Sequence, residues 1–468
     1  MDYVSTRGTA PALDFAGVTL AGLASDGGLY VPREWPRFSS GEIAAMAGLP
    51  YPELAQRVMQ PFVGECLAPE RLLELCRVAY GRFAHAAVTP LVQLDQRHWL
   101  LELFHGPTLA FKDVALQLLG LLFEEFLRDR DEHLTIVGAT SGDTGSAAID
   151  AVAGRARVDV FMLHPRGRVS DVQRRQMTTV IAPNVHNIAL DGASFDHAQA
   201  MVKRMFADPA MAGRFHLSAV NSINWARLMA QVVYYFAAAL QLGAPQRPVA
   251  FSVPTGNFGD VFAGYVAAQM GLPVARLVVA TNVNDILHRA LSAGDYSTGS
   301  VVPTAAPSMD IQVSSNFERL LHDLGGRDGA VLAEQMAGFE RTTALRLSNA
   351  HREGAARLFT SARADPNEMA AAMRWAYEAC GELIDPHTAI ALHAAQAQAD
   401  LDRAIPVVTL ATAHPAKFVD AVERATGQRP PLPSRAGDLF EREERCDVLP
   451  GEYAAVASYV AERAVPRP

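Results

Sequence analysis

The amino-acid sequence predicts an α/β protein in which helices cover parallel-rich sheets. From residue 88 onward, short apolar strands alternate with helices, as expected for parallel strands joined by helical crossovers. Several of these strands run directly into loops rich in glycine and hydroxyl side chains, and ligands of such folds bind beyond the carboxyl ends of the strands. The length of 468 residues exceeds one ordinary core, so we expect two α/β domains and an additional N-terminal region.

The same patterns give provisional domain borders. Residues 1–87 form the N-terminal region, which begins with a short strand at Tyr3–Thr6 and continues with short helices. Residues 88–120 and 221–468 are assigned to a large domain. Residues 121–220 are assigned to a smaller α/β domain inserted into it.

Individual elements follow from local patterns. The segment after Lys112 is apolar on most sides and predicts a buried helix to about Arg128. Alanine-rich stretches at 330–380 and 389–400 are predicted to be helical, and the end, from about residue 435, is predicted to form a peripheral strand and helix. Short apolar runs predict strands at 92–94, 99–104, 134–137, 158–163, 185–190, 248–253, 275–280 and 405–410.

Composition and charge narrow the function. The net charge of −9 argues against nucleic acid as a main partner, since phosphate contacts need clustered lysine and arginine. The start resembles no signal peptide, and the longest apolar stretch, Leu228 to Leu242, is too short to span a membrane, so no membrane association is expected. Four cysteines without C-x-x-C spacing favour free thiols, no metal site and a cytoplasmic protein.

One lysine lies inside a strongly apolar run. The turn Gly106–Pro107 leads to the apolar Leu109–Phe111, Lys112 follows, and further apolar residues continue the helix. Burial lowers the pKa of a lysine and makes its amine a nucleophile that can form an imine with an aldehyde. The alternative is a structural lysine that extends to solvent or pairs with Asp113 or a more distant partner.

Two glycine-rich loops follow strands and open helices. The first, residues 138–146 (Gly-Ala-Thr-Ser-Gly-Asp-Thr-Gly-Ser), offers donors to an anion, or is an ordinary turn that Asp143 caps. The second, residues 254–260 (Pro-Thr-Gly-Asn-Phe-Gly-Asp), contains no lysine or arginine and suits a phosphate held by backbone N–H groups. Neither loop matches a dinucleotide or nucleoside-triphosphate motif. An aldehyde that carries a phosphate would use both loops and Lys112, and pyridoxal phosphate is such a compound.

Two further polar segments are candidates for the same site. Thr412 offers a hydroxyl just after an apolar strand, and His414, beside a proline, is more often structural than catalytic in such positions. Asn221, Ser222 and Arg227 precede a long apolar helix and combine groups that suit a phosphate monoester. The alternative for this last segment is helix capping with a surface arginine.

These segments together resemble the threonine synthase family, in the long form found in bacteria and fungi. The resemblance extends from residue 3 to the segment Ala411–Pro415, so it covers nearly the whole chain. The lysine motif and the second glycine-rich loop are specific in combination. The motifs that carry it are residues 3–8 (Tyr-Val-Ser-Thr-Arg-Gly), 105–113 (His-Gly-Pro-Thr-Leu-Ala-Phe-Lys-Asp), 139–145 (Ala-Thr-Ser-Gly-Asp-Thr-Gly) and 256–260 (Gly-Asn-Phe-Gly-Asp).

The resemblance implies a fold-type II pyridoxal phosphate enzyme, similar to the tryptophan synthase β subunit, with the cofactor in the cleft between two α/β domains. Lys112 would hold the cofactor as an imine and then act as the base that moves protons. Thr412 would meet the pyridine nitrogen and, as a hydroxyl, would leave the ring largely neutral. The cofactor phosphate would lie on Gly256, Asn257, Phe258, Gly259 and Asp260.

The activity so implied converts O-phospho-L-homoserine and water to L-threonine and phosphate, the last step of threonine biosynthesis, by γ-elimination and β-addition. Asn221, Ser222 and Arg227 would bind the substrate phosphate. The substrate carboxylate and the cofactor edge would face Ser141, Gly142, Asp143 and Thr144.

Other functions remain open at this point. A serine or threonine dehydratase-like lyase, or a cysteine synthase, would need the same lysine and phosphate loop, and a second phosphate site for the substrate would distinguish them. A homologue that binds pyridoxal phosphate without turnover is a further alternative. We expect a small-molecule substrate and a monomer or weak homodimer.

Overall fold

An N-terminal region of short strands and helices begins the chain, of which the computed structural model describes residues 1–219 and 222–467. The predicted first strand pairs antiparallel with a second short strand. Tyr3 is fully buried against Phe15 and Trp225 and donates its hydroxyl to Phe62 O, which fixes the chain start in the core. The elements of this region are β1 (Tyr3–Ser5), α1 (Phe15–Ala21), β2 (Tyr30–Pro32), α2 (Ser40–Ala44), α3 (Tyr51–Val63) and α4 (Pro69–Tyr80).

The lysine motif leads into the longest helix of the described residues. After β3 (Leu91–Gln93) and β4 (His98–Glu102) comes α5 (Lys112–Arg130), which is buried on most sides as its composition predicts. Helix α5 packs on α4 and runs without a break through residue 120. The predicted domain border at that residue therefore falls inside a helix.

The smaller domain is an alternation of strands and helices. Its central strands are rich in valine and other apolar residues and are buried, which is typical of strands covered on both faces. Its elements are β5 (Leu134–Ala139), α6 (Asp143–Val152), β6 (Val158–Pro165), α7 (Asp171–Thr178), β7 (Val185–Asp191), α8 (Phe195–Ala207), α9 (Pro209–Arg214) and β8 (Leu217–Ser218).

The large domain returns with a long buried helix and repeats the alternation. Its elements are α10 (Trp225–Gln241), β9 (Val249–Pro254), α11 (Gly259–Gln269), β10 (Val274–Thr281), α12 (Ile286–Ala293), β11 (Asp295–Ser297), α13 (Phe317–Leu324), α14 (Gly329–Thr342), β12 (Ala344–Arg346), α15 (Asn349–Ala356), β13 (Phe359–Arg363), α16 (Pro366–Cys380), α17 (Pro386–Gln396), β14 (Val407–Ala411) and α18 (Val419–Thr426). Six strands form its main sheet in the order β13-β10-β9-β14-β4-β3. Neighbouring strands are parallel except β3 and β4, which are antiparallel.

One edge of this main sheet differs from the prediction. Residues 330–380 are not wholly helical, because β13 lies within them and pairs in parallel with β10. Its five residues, Phe-Thr-Ser-Ala-Arg, are too few to stand out in an alanine-rich stretch. Their extended state depends on the neighbouring strand rather than on local propensity.

The C-terminal strand and helix are present as predicted, but they pack in a different domain from the one assigned. Strand β15 (Asp447–Pro450) pairs in parallel with β7, and α19 (Tyr453–Arg463) buries Val456 and Val460 against apolar residues of the smaller sheet. The five-stranded sheet of the smaller domain has the order β15-β7-β6-β5-β8. This segment therefore packs with the smaller domain and not with the large domain to which its sequence position assigned it.

The fold brings the predicted site segments to one place. The carboxyl ends of β4, β9 and β14 lead to the lysine motif, the second glycine-rich loop and Thr412 at one edge of the main sheet. The end of β5 in the smaller sheet leads to the first glycine-rich loop. None of the helices in residues 1–219 and 222–467 is long and apolar enough to cross a membrane.

Candidate active site

The lysine motif forms a tight, internally bonded turn before α5. Asp113 is fully buried and accepts hydrogen bonds of 2.7 Å from the backbone N–H and from the hydroxyl of Thr108. A Cβ at Gly106 would lie 2.3 Å from the Asp113 Cβ, so a larger residue does not fit there. Leu109 has a left-handed backbone with φ 63°, which side chains of this size rarely adopt. The turn places Lys112 at the first residue of α5.

The Lys112 side chain is buried and has a carboxylate partner. Its Nζ lies 3.5 Å from Asp143 Oδ2, so the partner comes from the smaller domain and not from the adjacent Asp113. Burial lowers the pKa of Lys112, and the charges of Lys417 and Arg227 lower it further, whereas Asp143 opposes the shift. The amine therefore loses its proton more easily than that of an exposed lysine.

A second buried lysine, Lys417, completes this cluster. Its Nζ lies 2.9 Å from Asp143 Oδ1 and donates a 2.7 Å hydrogen bond to Thr108 O. The sequence patterns described above assign no role to Lys417. Composition contains a signal for it, since only three of the 41 lysine and arginine residues are lysines, namely Lys112, Lys203 and Lys417. Two of these three meet at one carboxylate.

The first glycine-rich loop is held in shape by the side chain of Thr140. Thr140 Oγ1 accepts 2.9 Å hydrogen bonds from the N–H groups of Gly142 and Gly145. Gly142 has φ 138°, a conformation that favours glycine. Of the predicted hydroxyls in this loop, Ser141 is exposed and Thr144 is half-buried.

Asp143 does not cap helix α6, so the alternative of an Asp143-capped turn is wrong. Its buried carboxylate accepts a 2.9 Å hydrogen bond from Gln173 Nε2 and contacts both Lys417 and Lys112. Burial alone would raise the pKa of Asp143, but the two lysine charges outweigh burial and hold it well below its usual range. The side chain is an ionised acceptor already in use, so it is unsuited to a substrate carboxylate.

The second glycine-rich loop presents a bare helix N-terminus. Phe258 has a left-handed backbone with φ 62°, and α11 begins at the next residue, Gly259. No side chain of the described residues caps this helix, so its first N–H groups are available to an anion. A Cβ at Gly256 would lie 2.7 Å from Ser308 O, which shows how closely two backbone segments pack here.

A neighbouring segment holds this loop in place. Asn316 Nδ2 donates hydrogen bonds of 2.9 Å to Asn257 O and 3.2 Å to Ser222 O. Ser314 Oγ donates a 2.7 Å hydrogen bond to Gly256 O. These bonds join Ser222, predicted to contact the substrate phosphate, to the loop predicted to hold the cofactor phosphate.

The carboxylate of Asp260, at the end of this loop, binds two tyrosines. Oδ1 accepts hydrogen bonds from the hydroxyls of Tyr234 and Tyr235, and Oδ2 has no partner among the described residues. Burial raises the pKa of Asp260 to about 7, although the tyrosine hydroxyls and the charge of Lys112 oppose this shift. A phosphate on this loop would therefore use the backbone N–H of Asp260 rather than its side chain.

Arg227 is a buried cation with open donors. Only 3% of the residue is exposed, and its Nε and Nη1 have no hydrogen-bond partner within residues 1–219 and 222–467. Burial lowers the pKa of Arg227 to about 10, so the guanidinium stays charged at neutral pH. The alternative of helix capping with a surface arginine is therefore wrong for the arginine but right for the cap, because Asn224 Oδ1 accepts a 3.0 Å hydrogen bond from the Ala226 N–H. Of its predicted companions, Ser222 is half-buried, and Asn221 lies outside the described residues.

Thr412 lies beside the lysine motif. The Phe111 N–H donates a 2.8 Å hydrogen bond to Thr412 O, and the His414 N–H donates one of 3.0 Å to Leu109 O. His414 Nδ1 accepts from the Ala416 N–H, and burial lowers the pKa of His414 to about 4. These contacts favour the structural interpretation of His414.

A cavity of about 1300 Å³ opens beside this cluster. It lies between Ser170 and Asp171 of the smaller domain and Asn282 and Thr304 of the large domain, and Lys417 forms part of its wall. The lining includes Lys417 but not Lys112, so the cavity reaches the cluster on its Lys417 side.

These residues fit pyridoxal phosphate. A buried amine with a lowered pKa suits an aldehyde, and the uncapped start of α11 suits a phosphate. Within the described residues, no cluster of three or more His, Cys, Asp or Glu side chains could hold a metal ion.

Comparison with known proteins identifies the family. A model of the threonine synthase N terminus matches residues 2–80, a model of pyridoxal-phosphate dependent enzymes matches residues 83–349, and a model of the threonine synthase C-terminal region matches residues 388–460. The threonine synthase of Pseudomonas aeruginosa is 56% identical over 463 residues, which cover 99% of this chain and 98% of that protein.

Solved structures agree with this assignment. A crystal structure of threonine synthase from Brucella melitensis with bound pyridoxal phosphate has a TM-score of 0.97 and 50% identity, and the match covers 99% of both chains. Threonine synthase from yeast has a TM-score of 0.93 and 38% identity, and the match covers 99% of this chain and 98% of that one. The predicted family, fold type and cofactor are thus confirmed. The chain belongs to the threonine synthase family of pyridoxal-phosphate-dependent enzymes.

Proposed function

We propose that this chain converts O-phospho-L-homoserine and water to L-threonine and inorganic phosphate. Arg227 supports this activity best, because its buried guanidinium has two open donors and its charge acts on Lys112. Together with the uncapped start of α11, it gives the site a second place for an anion. A phosphorylated substrate and a phosphorylated cofactor need both places, whereas a dehydratase of unphosphorylated serine needs one.

Lys112 is the proposed catalytic residue. Bound pyridoxal phosphate supplies an aldehyde that accepts an amine and a conjugated ring that accepts electrons. Lys112 Nζ would hold the aldehyde and later accept the proton from Cα of the substrate. Its lowered pKa suits both tasks, since each needs an uncharged amine near neutral pH. Thr412 is proposed to meet the pyridine nitrogen.

The anion sites are proposed to divide the two phosphates. Residues 256–260 would hold the cofactor phosphate through backbone N–H groups, and Arg227 with Asn221 and Ser222 would hold the substrate phosphate. Backbone N–H groups near Gly142 and the hydroxyls of Ser141 and Thr144 would face the substrate carboxylate. Asp143 contributes there through its ion pairs rather than as a direct ligand.

Control of water access is the remaining requirement. The reaction needs water only after the phosphate has left, so we expect the two domains to close on the substrate. Gln176 Nε2 on α7 donates a 2.9 Å hydrogen bond to Thr108 O in the lysine motif. This bond links the smaller domain directly to the turn that positions Lys112.

An assay of both products tests the proposal. The purified chain is loaded with pyridoxal phosphate and given O-phospho-L-homoserine, and inorganic phosphate and threonine are measured together. Equal amounts of the two products are expected. Phosphate with 2-oxobutanoate would indicate a dehydratase-like elimination, and no product at all would indicate a protein that binds the cofactor without turnover. L-Serine and L-threonine serve as unphosphorylated control substrates.

The binding partners, location and oligomeric state of the enzyme are part of the same proposal. A small-molecule substrate, no nucleic acid partner, a cytoplasmic location and a monomer or weak homodimer remain our predictions. The net charge of −9 supports the absence of a nucleic acid partner, and four free cysteines support a reducing, cytoplasmic location. Light scattering over a range of protein concentrations measures the oligomeric state.

A further inference from the structure

Two lysines share the Asp143 carboxylate, and they do so unequally. Lys417 Nζ lies 2.9 Å from one carboxylate oxygen, and Lys112 Nζ lies 3.5 Å from the other. The Lys417 side chain is 0% exposed and also bonds Thr108 O, whereas the Lys112 side chain is 11% exposed. Lys417 is thus held by two oxygen acceptors, whereas Lys112 has one looser carboxylate contact and lies 4.8 Å from the centre of the Phe111 ring.

This arrangement matters because a lone carboxylate would favour a charged Lys112. A buried one-to-one ion pair stabilises the ammonium form, and an ammonium can neither attack an aldehyde nor accept a proton. A second cation on the same carboxylate weakens that stabilisation.

We propose that Lys417 is a positioning residue that engages the Asp143 carboxylate in its own ion pair and thereby leaves the Lys112 amine free to lose its proton. The proposal deepens the proposed function and rests on the role of Lys112 at the cofactor. The first test of this proposal measures no turnover, so the proposal and the proposed function can fail separately.

The other charged groups around the cluster do not replace Lys417. Arg227 on α10 adds positive charge but has no carboxylate partner among the described residues. Burial raises the pKa of Asp260 on α11 to about 7 and that of Asp113 on α5 to about 6, so both are poor anions beside Asp143. On the C-terminal side, burial lowers the pKa of His414 to about 4, and Arg435 donates hydrogen bonds to the backbone oxygens of Phe104 and His105.

The small number of lysines makes a direct test practical. The full chain is labelled with ¹³Cε-lysine, stripped of cofactor and titrated by NMR, and only three lysine signals are expected. The exposed Lys203 is identified with Lys203→Arg. The pKa of Lys112 is then compared in the natural chain, in Lys417→Met, in Asp143→Asn and in the double variant.

The expected result is an upward shift of the Lys112 pKa in Lys417→Met. In the Asp143→Asn background, the same Lys417→Met change should have a much smaller effect, because no carboxylate is left to pair with Lys112. An unchanged Lys112 pKa in Lys417→Met would overturn the proposal. An equal shift in both backgrounds would also overturn it, since Lys417 would then act by direct repulsion and not through Asp143.

A further variant and a holoenzyme measurement complete the test. Lys417→Arg keeps the positive charge, so the Lys112 titration should stay in place, and an upward shift there contradicts the proposal. If Lys417→Met does not fold, Lys417→Gln is the neutral replacement, with the same upward shift of the Lys112 pKa expected. In the cofactor-loaded Lys417→Met protein, the pH midpoint at which the absorbance of the bound cofactor changes should rise as well. A purely structural role would lower thermal stability and leave both titrations in place.

Discussion

The two glycine-rich loops have the same plan and opposite electrostatics. Both follow a parallel strand and open a helix. In the loop after β5, Thr140 bonds two backbone N–H groups, and Asp143 brings a negative charge to two lysines. In the loop after β9, no side chain of the described residues caps the helix, and the backbone presents positive N–H ends.

The difference shows that loop shape does not determine what a loop binds. The loop after β5 contacts the Lys112 amine through Asp143, whereas the loop after β9 offers backbone N–H groups to an anion. The carboxylates of the two loops show the same contrast, because cations hold the pKa of Asp143 low while burial raises the pKa of Asp260 to about 7. The following predictions test this contrast, starting with the largest expected effect.

Lys112→Ala should abolish catalysis but leave non-covalent cofactor binding in place. Turnover should fall by at least about 10³-fold, because the variant lacks both the nucleophile and the base. The bare loop after β9 should still bind pyridoxal phosphate without a covalent bond. Product assays and cofactor retention on gel filtration check this, with the exposed Lys203→Ala as control. Normal turnover in Lys112→Ala would disprove the assignment of the catalytic lysine.

Arg227→Gln should weaken the use of substrate more than the binding of cofactor. Loss of two charge-assisted hydrogen bonds is expected to lower kcat/KM for O-phospho-L-homoserine by about 100-fold, with pyridoxal phosphate affinity nearly unchanged. Arg130→Gln, at an exposed position of α5, is the matched control. If cofactor affinity falls instead, Arg227 contacts the cofactor phosphate, and the assignment of the two phosphates to the two anion sites is reversed.

Gly256→Ala should weaken the cofactor site alone. The added Cβ would lie 2.7 Å from the backbone oxygen of Ser308, so the loop must shift, and we expect the Kd for pyridoxal phosphate to rise about 10-fold, or roughly 1.4 kcal/mol. Gly259→Ala is a milder comparison, since its Cβ would lie 3.3 Å from the Asn316 side chain. Equal effects of the two changes would argue against a backbone cradle.

The two loop carboxylates should affect stability with opposite dependence on pH. The folded pKa of Asp260 is raised, so its contribution is fully present below the unfolded value near 4 and is lost as the pH rises through about 7. The folded pKa of Asp143 is lowered, so its contribution is present above that unfolded value and is lost as the pH falls further. Thermal unfolding of the cofactor-free natural chain, Asp260→Asn and Asp143→Asn between pH 2 and pH 8 should show the Asp260 trend above about pH 4 and the Asp143 trend below it, and parallel trends would contradict the contrast.

Local patterns were enough to predict the fold class and the main parts of the site. The apolar run around Lys112 and the glycines that open helices are short segments whose chemistry depends on adjacent residues. The α/β alternation is likewise a property of consecutive elements, and most predicted strands match observed ones within a few residues. The family assignment follows from the same short segments.

Features that depend on distant contacts were missed or misplaced. Lys417 acquires its role from Asp143 and Thr108, which are far away in sequence. Strands β13 and β15 are extended because each pairs with a neighbouring strand. The carboxylate of Asp260 accepts hydrogen bonds from two tyrosines on α10. None of these partners is visible in the local pattern around each residue.

The position of β15 has a consequence for synthesis. During translation, β7 leaves the ribosome long before β15, so one edge of the smaller sheet stays unpaired while the rest of the large domain is made. Exposed strand edges invite pairing with other chains. A nascent chain of this protein therefore carries an edge that can pair with other chains until β15 emerges and covers it.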